Sequence, residues 1–229
     1  VEGTGSFHSL GVADFDNDGD LDIFAGEQED ATMDGYAPRL SMKPAGLKER
    51  GVIWLNSGGK NPTFTAYVIH VDNPGWHDAR VGDVDGDGDI DIVSKVWNKD
   101  GEHYHADYWR NDTEQTGPLK AASHKLKWTH LSSMNGDIPS PDVGRQAASL
   151  ILDIDKDGVN DFVIAGWSDE TSMVWLRHTS DGWKRYLVDN RKSHIEAGGA
   201  YYDIDGDGDA DILQGGSWMT NEVWWWENP

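Results

Sequence analysis

Apolar residues in this chain fall in short runs, and four of those runs stop at a cluster of aspartates. Leu10-Gly-Val-Ala13, residues 79–82, Ser149-Leu-Ile-Leu152 and Gly199-Ala-Tyr-Tyr202 lead into the clusters. Ile23-Phe-Ala25, Ile92-Val93, Phe162-Val-Ile164 and Ile212-Leu213 lead out of them. Runs this brief, β-branched or aromatic and bounded by Gly and Asp, predict strands. A third run in each unit carries a tryptophan: Trp54-Leu-Asn56, Trp109-Arg-Asn111, Trp175-Leu-Arg177 and Trp226-Glu-Asn228. A fourth follows in three units, at residues 64–69, 128–131 and 183–188. Helical periodicity of any length is missing. The pattern predicts units of four strands at residues 7–71, 77–132, 146–189 and 196–229, with the acidic cluster between the first two strands of each.

Such units in series predict an all-β fold, a β-propeller of four-stranded antiparallel blades with about four blades in this chain. The last unit ends after its third strand, and residues 1–7 are a poor fourth strand for it. The expectation is therefore one domain or fragment within a larger ring of about seven blades, inside the 4–8 range common for the fold.

All four clusters fit D-x-D-x-D-G-x-x-D, and their first residues are 69, 70 and 50 positions apart. The first offers Asp14, Asp16, Asp18, Asp20 and Asp22; the second Asp83, Asp85, Asp87, Asp89 and Asp91. The third offers Asp153, Asp155, Asp157 and Asp161, with Val159 where the others have an acid; the fourth Asp203, Asp205, Asp207, Asp209 and Asp211. Alternate positions of a tight turn converge three carboxylates, the glycine allows the bend, and the last aspartate closes the set. Position 7 can ligate through its carbonyl, so Val159 is no obstacle. Ca²⁺ takes six to eight oxygens in flexible geometry, whereas Mg²⁺ demands a stricter octahedron and Zn²⁺ prefers His and Cys. Four structural calcium ions are the expected cofactors. An EF-hand would need a glutamate at position 12 and helices on both sides. Position 12 is Ala25, Ser94, Ile164 or Gln214, and the predicted flanks are strands.

Charge and composition narrow the classes. The 229 residues carry a net charge of -22, which argues against nucleic acid as a partner. Twelve tryptophans and ordered spacing argue against a disordered acidic chain. Cysteine is absent, so no disulfide framework exists. No apolar run is long enough for a membrane-spanning helix, and no charged-then-apolar leader opens the sequence.

The loops, the Gly/Ala-rich strand before them and the trailing W-x-N resemble FG-GAP or VCBS-type repeats over nearly the whole chain. Those repeats build calcium-loop propellers in integrin α-chains, fungal lectins and secreted bacterial carbohydrate-active proteins. The resemblance implies fold and metal directly, and a partner only by analogy. It departs from the pattern in the long insertion at residues 28–50 and in the missing final strand. Extracellular calcium modules often bind in the ~10⁻⁴–10⁻³ M range, so a secreted or cell-surface location is expected.

The face opposite the loops collects the remaining unusual residues. His8, Trp76-His77-Asp78, Arg80, Arg145 and His194 stand at the starts of first strands, and Trp97, Trp167 and Trp218 follow second strands. His8, His77, Arg80, Trp97, Arg145, Trp167, His194 and Trp218 are the candidate ligand-binding residues, suited to sugar rings. Trp54, Trp109, Trp175 and Trp226 read as packing residues. Three functions follow as expectations. The first is a carbohydrate-binding module. The second is a polysaccharide lyase acting on a uronic-acid polymer, as some propellers resembling this one are. There Arg80 or Arg145 would neutralise the carboxylate, His77 or His103 would be the base, and Tyr104 or Tyr108 the acid. The third is protein adhesion of the integrin type, using Met33, Tyr36, Leu40 and Met42 in the insertion.

Overall fold

A computed structural model describes residues 7–27, 49–71, 76–97, 104–113, 126–168 and 170–229. Among them are fifteen β-strands and no α-helix. The first antiparallel sheet runs β1 (Phe7–Ala13), β2 (Asp22–Glu27), β3 (Arg50–Asn56), β4 (Phe64–Val71) in chain order. The second runs β5 (Asp78–Gly82), β6 (Asp91–Lys95), β7 (Ala106–Asn111), β8 (Trp128–Ser132). The third is β9 (Gln146–Leu152), β10 (Asp161–Ser168), β11 (Met173–Thr179) and β12 (Gly182–Asp189). The last has three strands, β13 (Ser193–Tyr202), β14 (Asp211–Gly216) and β15 (Val223–Trp226). It joins the third through a short pairing of Trp167 with His194 and Ser168 with Ser193.

The aspartate loops connect β1 to β2, β5 to β6, β9 to β10 and β13 to β14. The first strands of successive sheets lie beside one another, β1 by β5, β5 by β9 and β9 by β13. Strand alternation puts two apolar faces on each sheet, and the core forms where one sheet's second face meets the next sheet's first. Phe15, Phe24 and Ile53 pack on Ala79, Ile92 and Trp109. Val84, Val93 and Tyr108 pack on Phe162, Ile164 and Leu176. Leu150, Leu152, Ile154 and Val163 pack on Ile195 and Ile212.

Three of the four third-strand tryptophans share one register. Trp54 pairs with Ile23, Trp109 with Ile92 and Trp226 with Ile212. Trp175 pairs instead with Val163, while Leu176 stands opposite Phe162. A one-residue shift reverses the face of a strand residue. Trp175 therefore packs toward the last sheet, and Leu176 fills the position that tryptophan holds elsewhere. His178 confirms the alignment: its N–H donates to Asp161, as the amides of Asn56, Asn111 and Asn228 donate to Asp22, Asp91 and Asp211. In the run at residues 224–226, Trp224 and Trp226 face the core and Trp225 faces outward.

Candidate metal loops and aromatic belt

The four loops share one backbone. Gly19, Gly88, Gly158 and Gly208 have φ of 91°, 96°, 90° and 97°, a region closed to most side chains. Position 4 is also left-handed in each, with Asn17 at 57°, Gly86 at 77°, Lys156 at 60° and Gly206 at 81°. The first aspartate of each loop accepts the N–H of that turn glycine, at 2.8 to 3.1 Å. The last aspartate accepts the N–H of position 2 and the third-strand amide named above. It thereby ties the loop to both the second and third strands.

Among the described residues, four groups of carboxylates could hold a metal ion: Asp14, Asp16, Asp18; Asp83, Asp85, Asp91; Asp153, Asp155, Asp161; and Asp203, Asp205, Asp207. Within each group, one oxygen per residue lies within 4.8 Å of the others. Asp85 and Asp155, at position 3 of their loops, each hold a buried Oδ1 that accepts no hydrogen bond. A buried carboxylate oxygen without a donor is costly, and a hard cation would satisfy both. Protonation behaviour points the same way. Burial, reinforced by Asp87, pushes the Asp85 carboxyl up. Burial pushes Asp91 up to about 7 and Asp161 up to about 6 against their hydrogen bonds.

The aspartates at position 7 turn to their neighbours. Asp89 accepts from Asn17 of the first loop at 2.5 Å, and Asp209 pairs with Lys156 of the third. Asn160 donates to the Asp83 carbonyl at 2.7 Å, Asn111 to that of Phe15 at 2.9 Å and Asn228 to that of Ile154 at 2.9 Å. Every loop is thus fastened to the next.

At the other end of the strands the rings form a continuous belt across all four sheets. His8 stacks on His77 at 4.1 Å, with its Nδ1 2.7 Å from the His77 carbonyl. His77 stacks on Trp97 at 5.3 Å, Trp97 meets Trp167 edge-on at 5.6 Å, and Trp167 lies flat on His194 at 4.7 Å. The Arg145 guanidinium sits 5.4 Å from the Trp167 ring centre. Arg145 has φ of 41°, and its carbonyl accepts the Trp167 N–H. Its backbone runs so close to Gly166 that a Cβ there would fall 2.5 Å from the Arg145 oxygen. That contact holds Arg145 in a left-handed conformation costing about 1–2 kcal/mol.

Two hollows open beside the belt. One, about 540 Å³, is lined by Tyr104, Arg145, Trp167, Ser168, Lys192, His194 and Met219. The other, about 260 Å³, includes His8, His77, Asp78, Arg80 and Glu196. Beneath the second lies fully buried Lys95, which donates to the Gln146 carbonyl at 2.6 Å and sits 3.4 Å from Asp78. Ser149 donates to Asp78, and Arg80 to the Ser149 carbonyl. Burial would raise the Asp78 carboxyl, but Lys95 and Arg80 outweigh it and hold it low. Burial first, then Lys95 and His8, push His77 down to about 3, so its imidazole is neutral at physiological pH.

The structure brings His8, His77, Trp97, Trp167, His194 and Arg145 into one array, with Arg80 and Tyr104 on its hollows. Trp218 stands apart, 83% exposed on the turn after β14. Trp76 belongs to the core between the first two sheets. Tyr108 is buried at the loop end, where its hydroxyl donates to Asp91 at 3.0 Å. His103 and the insertion with Met33, Tyr36, Leu40 and Met42 lie outside the described residues. Reasoning from sequence singled out His105 only as alternating with His103 in a hairpin, and missed Lys95, Lys192 and the pairing in which buried Asp107 holds buried His105 at 2.9 Å and the more exposed His130 at 2.8 Å. Nothing in their local pattern marks them, because tertiary packing alone brings them together. No protein-family model matches the chain, and no curated protein matches it either.

Proposed function

We propose that this is a calcium-stabilised β-propeller module of the FG-GAP/VCBS repeat type that binds carbohydrate on the face opposite its calcium loops. The observation that carries the reading is the belt of five contacting rings, His8 to His194, three of whose contacts are stacked and one edge-on, edged by Arg145 and two open hollows. Flat aromatic faces beside hydrogen-bonding groups suit pyranose rings, whose axial C–H groups are apolar and whose rims are hydroxyls. Serial face-to-face packing of four-stranded sheets supports the propeller. The donorless oxygens of Asp85 and Asp155, within all-oxygen ligand sets, support calcium. A secreted or cell-surface location follows from a calcium requirement in that affinity range.

Trp167→Ala tests the belt, since Trp167 touches Trp97, His194 and Arg145. Glycan-array screening followed by titration calorimetry should show affinity falling about tenfold or more, given stacking and cation–π contributions of about 0.5–2 kcal/mol each. Wild-type protein that binds no glycan would remove the carbohydrate reading. Undiminished binding by the variant would remove the belt from it.

One observation favours a second reading, lyase action on a uronic-acid polymer. Tyr104, Arg145 and His194 line one hollow; His77, beside Arg80 in the other, is pushed down to about 3 and is too weakly basic to take the proton, which leaves the first hollow as the candidate. Its three residues supply a proton donor, a cation for the substrate carboxylate and a base. Incubation with uronate polymers, read as absorbance of the unsaturated product, separates the readings. A flat trace with binding retained leaves the binding module. The residues expected to serve an adhesion role, Met33, Tyr36, Leu40 and Met42, lie outside the described residues.

A further inference from the structure

The two hollows beside the ring belt differ in charge. The smaller carries both signs. Asp78, Glu196 and Arg80 line it, and Asp78 already sits 3.7 Å from Arg80 and 3.4 Å from Lys95. The larger, about 540 Å³, has Arg145 and Lys192 on its wall and no carboxylate among the described residues that line it. That is unusual in a chain with 41 acidic residues against 19 Lys and Arg.

Arg145 also stands apart from the other described arginines. Arg50, Arg80, Arg110, Arg177 and Arg191 each lie against a carboxylate, and Arg185 donates to the Pro141 carbonyl. The Arg145 guanidinium has neither among the described residues; its contact is the Trp167 ring, 5.4 Å away. A ring attracts the cation without supplying an oxygen for its five N–H donors. Two more donors belong to the same wall. The Trp167 indole N–H is buried and meets no acceptor among the described residues. Ser168 Oγ accepts the amides of Glu170 and Thr171 at 3.3 and 3.1 Å, so its hydroxyl proton remains to be donated. The backbone beneath is strained, with Arg145 at φ 41°, and strain of this kind gathers where ligands are held.

We infer that the larger hollow is the subsite for an acidic substituent of the glycan, a carboxylate or a sulfate ester. Arg145 and Lys192 supply the counter-charge, and Trp167 supplies the flat face for the sugar ring that bears it. Guanidinium geometry matches the paired oxygens of either group. The volume falls within the roughly 300–1,000 Å³ of small-ligand sites. At a net charge of -22 the chain as a whole repels a polyanion, so an acidic glycan is held here by local groups. The inference rests on the carbohydrate-binding reading and narrows its ligand class. It needs neither a base nor bond cleavage, so it is independent of lyase action.

Titration calorimetry in calcium tests it with three short probes: an oligogalacturonate, a sulfated galactan oligosaccharide and the same galactan desulfated. At least one acidic probe should bind about tenfold or more tighter than the desulfated one, the scale of one hydrogen bond to a charged group. Whichever acidic probe binds names the substituent. Added salt should weaken the acidic probe and spare the neutral one. Arg145→Gln should abolish the preference, and Arg145→Lys should keep part of it. Lys192→Gln, at an exposed position, serves if Arg145→Gln fails to fold. Desulfated galactan bound as tightly as both acidic probes overturns the acidic subsite and leaves carbohydrate binding standing. Glycan-array hits confined to neutral sugars do the same. No array hit of either kind removes the carbohydrate reading and this inference with it. An acidic preference that survives both Arg145→Gln and Lys192→Gln comes from calcium bridging at the loops and overturns the assignment to this hollow.

Discussion

Chelator-treated protein should melt on the order of 20 °C below calcium-soaked protein. An ion that binds only the native state adds about 2.7 kcal/mol per site at a hundredfold excess over its dissociation constant. Four sites then contribute on the order of 10 kcal/mol, and each kcal/mol moves the midpoint of a chain this size by roughly 2–4 °C. The gap should widen as pH rises. Asp91 and Asp161 titrate near 7 and 6 in the metal-free fold, above the 3.8 of an ordinary aspartate. Between those values the native state holds more protons than the unfolded chain, so these groups make the metal-free protein less stable as pH increases. Calcium replaces the protons and removes that penalty. His77, held near 3, acts in the opposite sense, gaining stability as pH passes upward toward 6.5, but it contributes equally with and without metal. The difference between melting curves at pH 5 and pH 8 therefore isolates the loops. Equal curves with and without calcium at pH 8 would end the calcium account.

Asp91→Ala should destabilise the protein by about 4 kcal/mol even in chelator, because it strands three buried or partly buried donors at about 1–3 kcal/mol each. Those donors are the amides of Val84 and Asn111, both at 2.8 Å, and the Tyr108 hydroxyl at 3.0 Å. Asp87→Ala is the contrast. Asp87 is exposed and accepts from the Asp89 amide at 2.9 Å. Its loss should lower the midpoint in calcium and leave the other three sites filled, yet match wild type in chelator. Urea titration with and without chelator measures both. An Asp91→Ala protein as stable as wild type in chelator would show that the last aspartate serves the ion alone.

The strand pairs around each loop were readable because apolar runs and aspartate turns alternate at fixed offsets. What local pattern could not supply was which neighbour each strand face meets. Trp175-Leu-Arg177 lines up by eye with Trp54-Leu-Asn56 although it lacks the asparagine, yet Trp175 lies one register away because the third strand of its unit reaches Asp161 through His178. The belt was half legible. His8, His77, Trp97, Trp167 and His194 stand out at strand ends, where scaffolds place binding groups. Trp76 stands out equally and is core, while Lys95 looks like an ordinary strand residue and is fully buried under the belt. Sequence position marks the end of a strand; only packing decides whether the side chain turns inward.

The side-chain fastenings between loops carry a further consequence. Asn17 to Asp89, Asn160 to Asp83 and Lys156 to Asp209 link each acidic turn to the one beside it. Ordering one turn reduces the freedom its neighbour still has to lose, and that is enough to couple their affinities. Occupancy should therefore rise with a Hill slope above one, and cutting a link with Asn160→Ala should flatten it. Such a module would respond to its cation as a threshold, rigid above a narrow concentration window and loose below it.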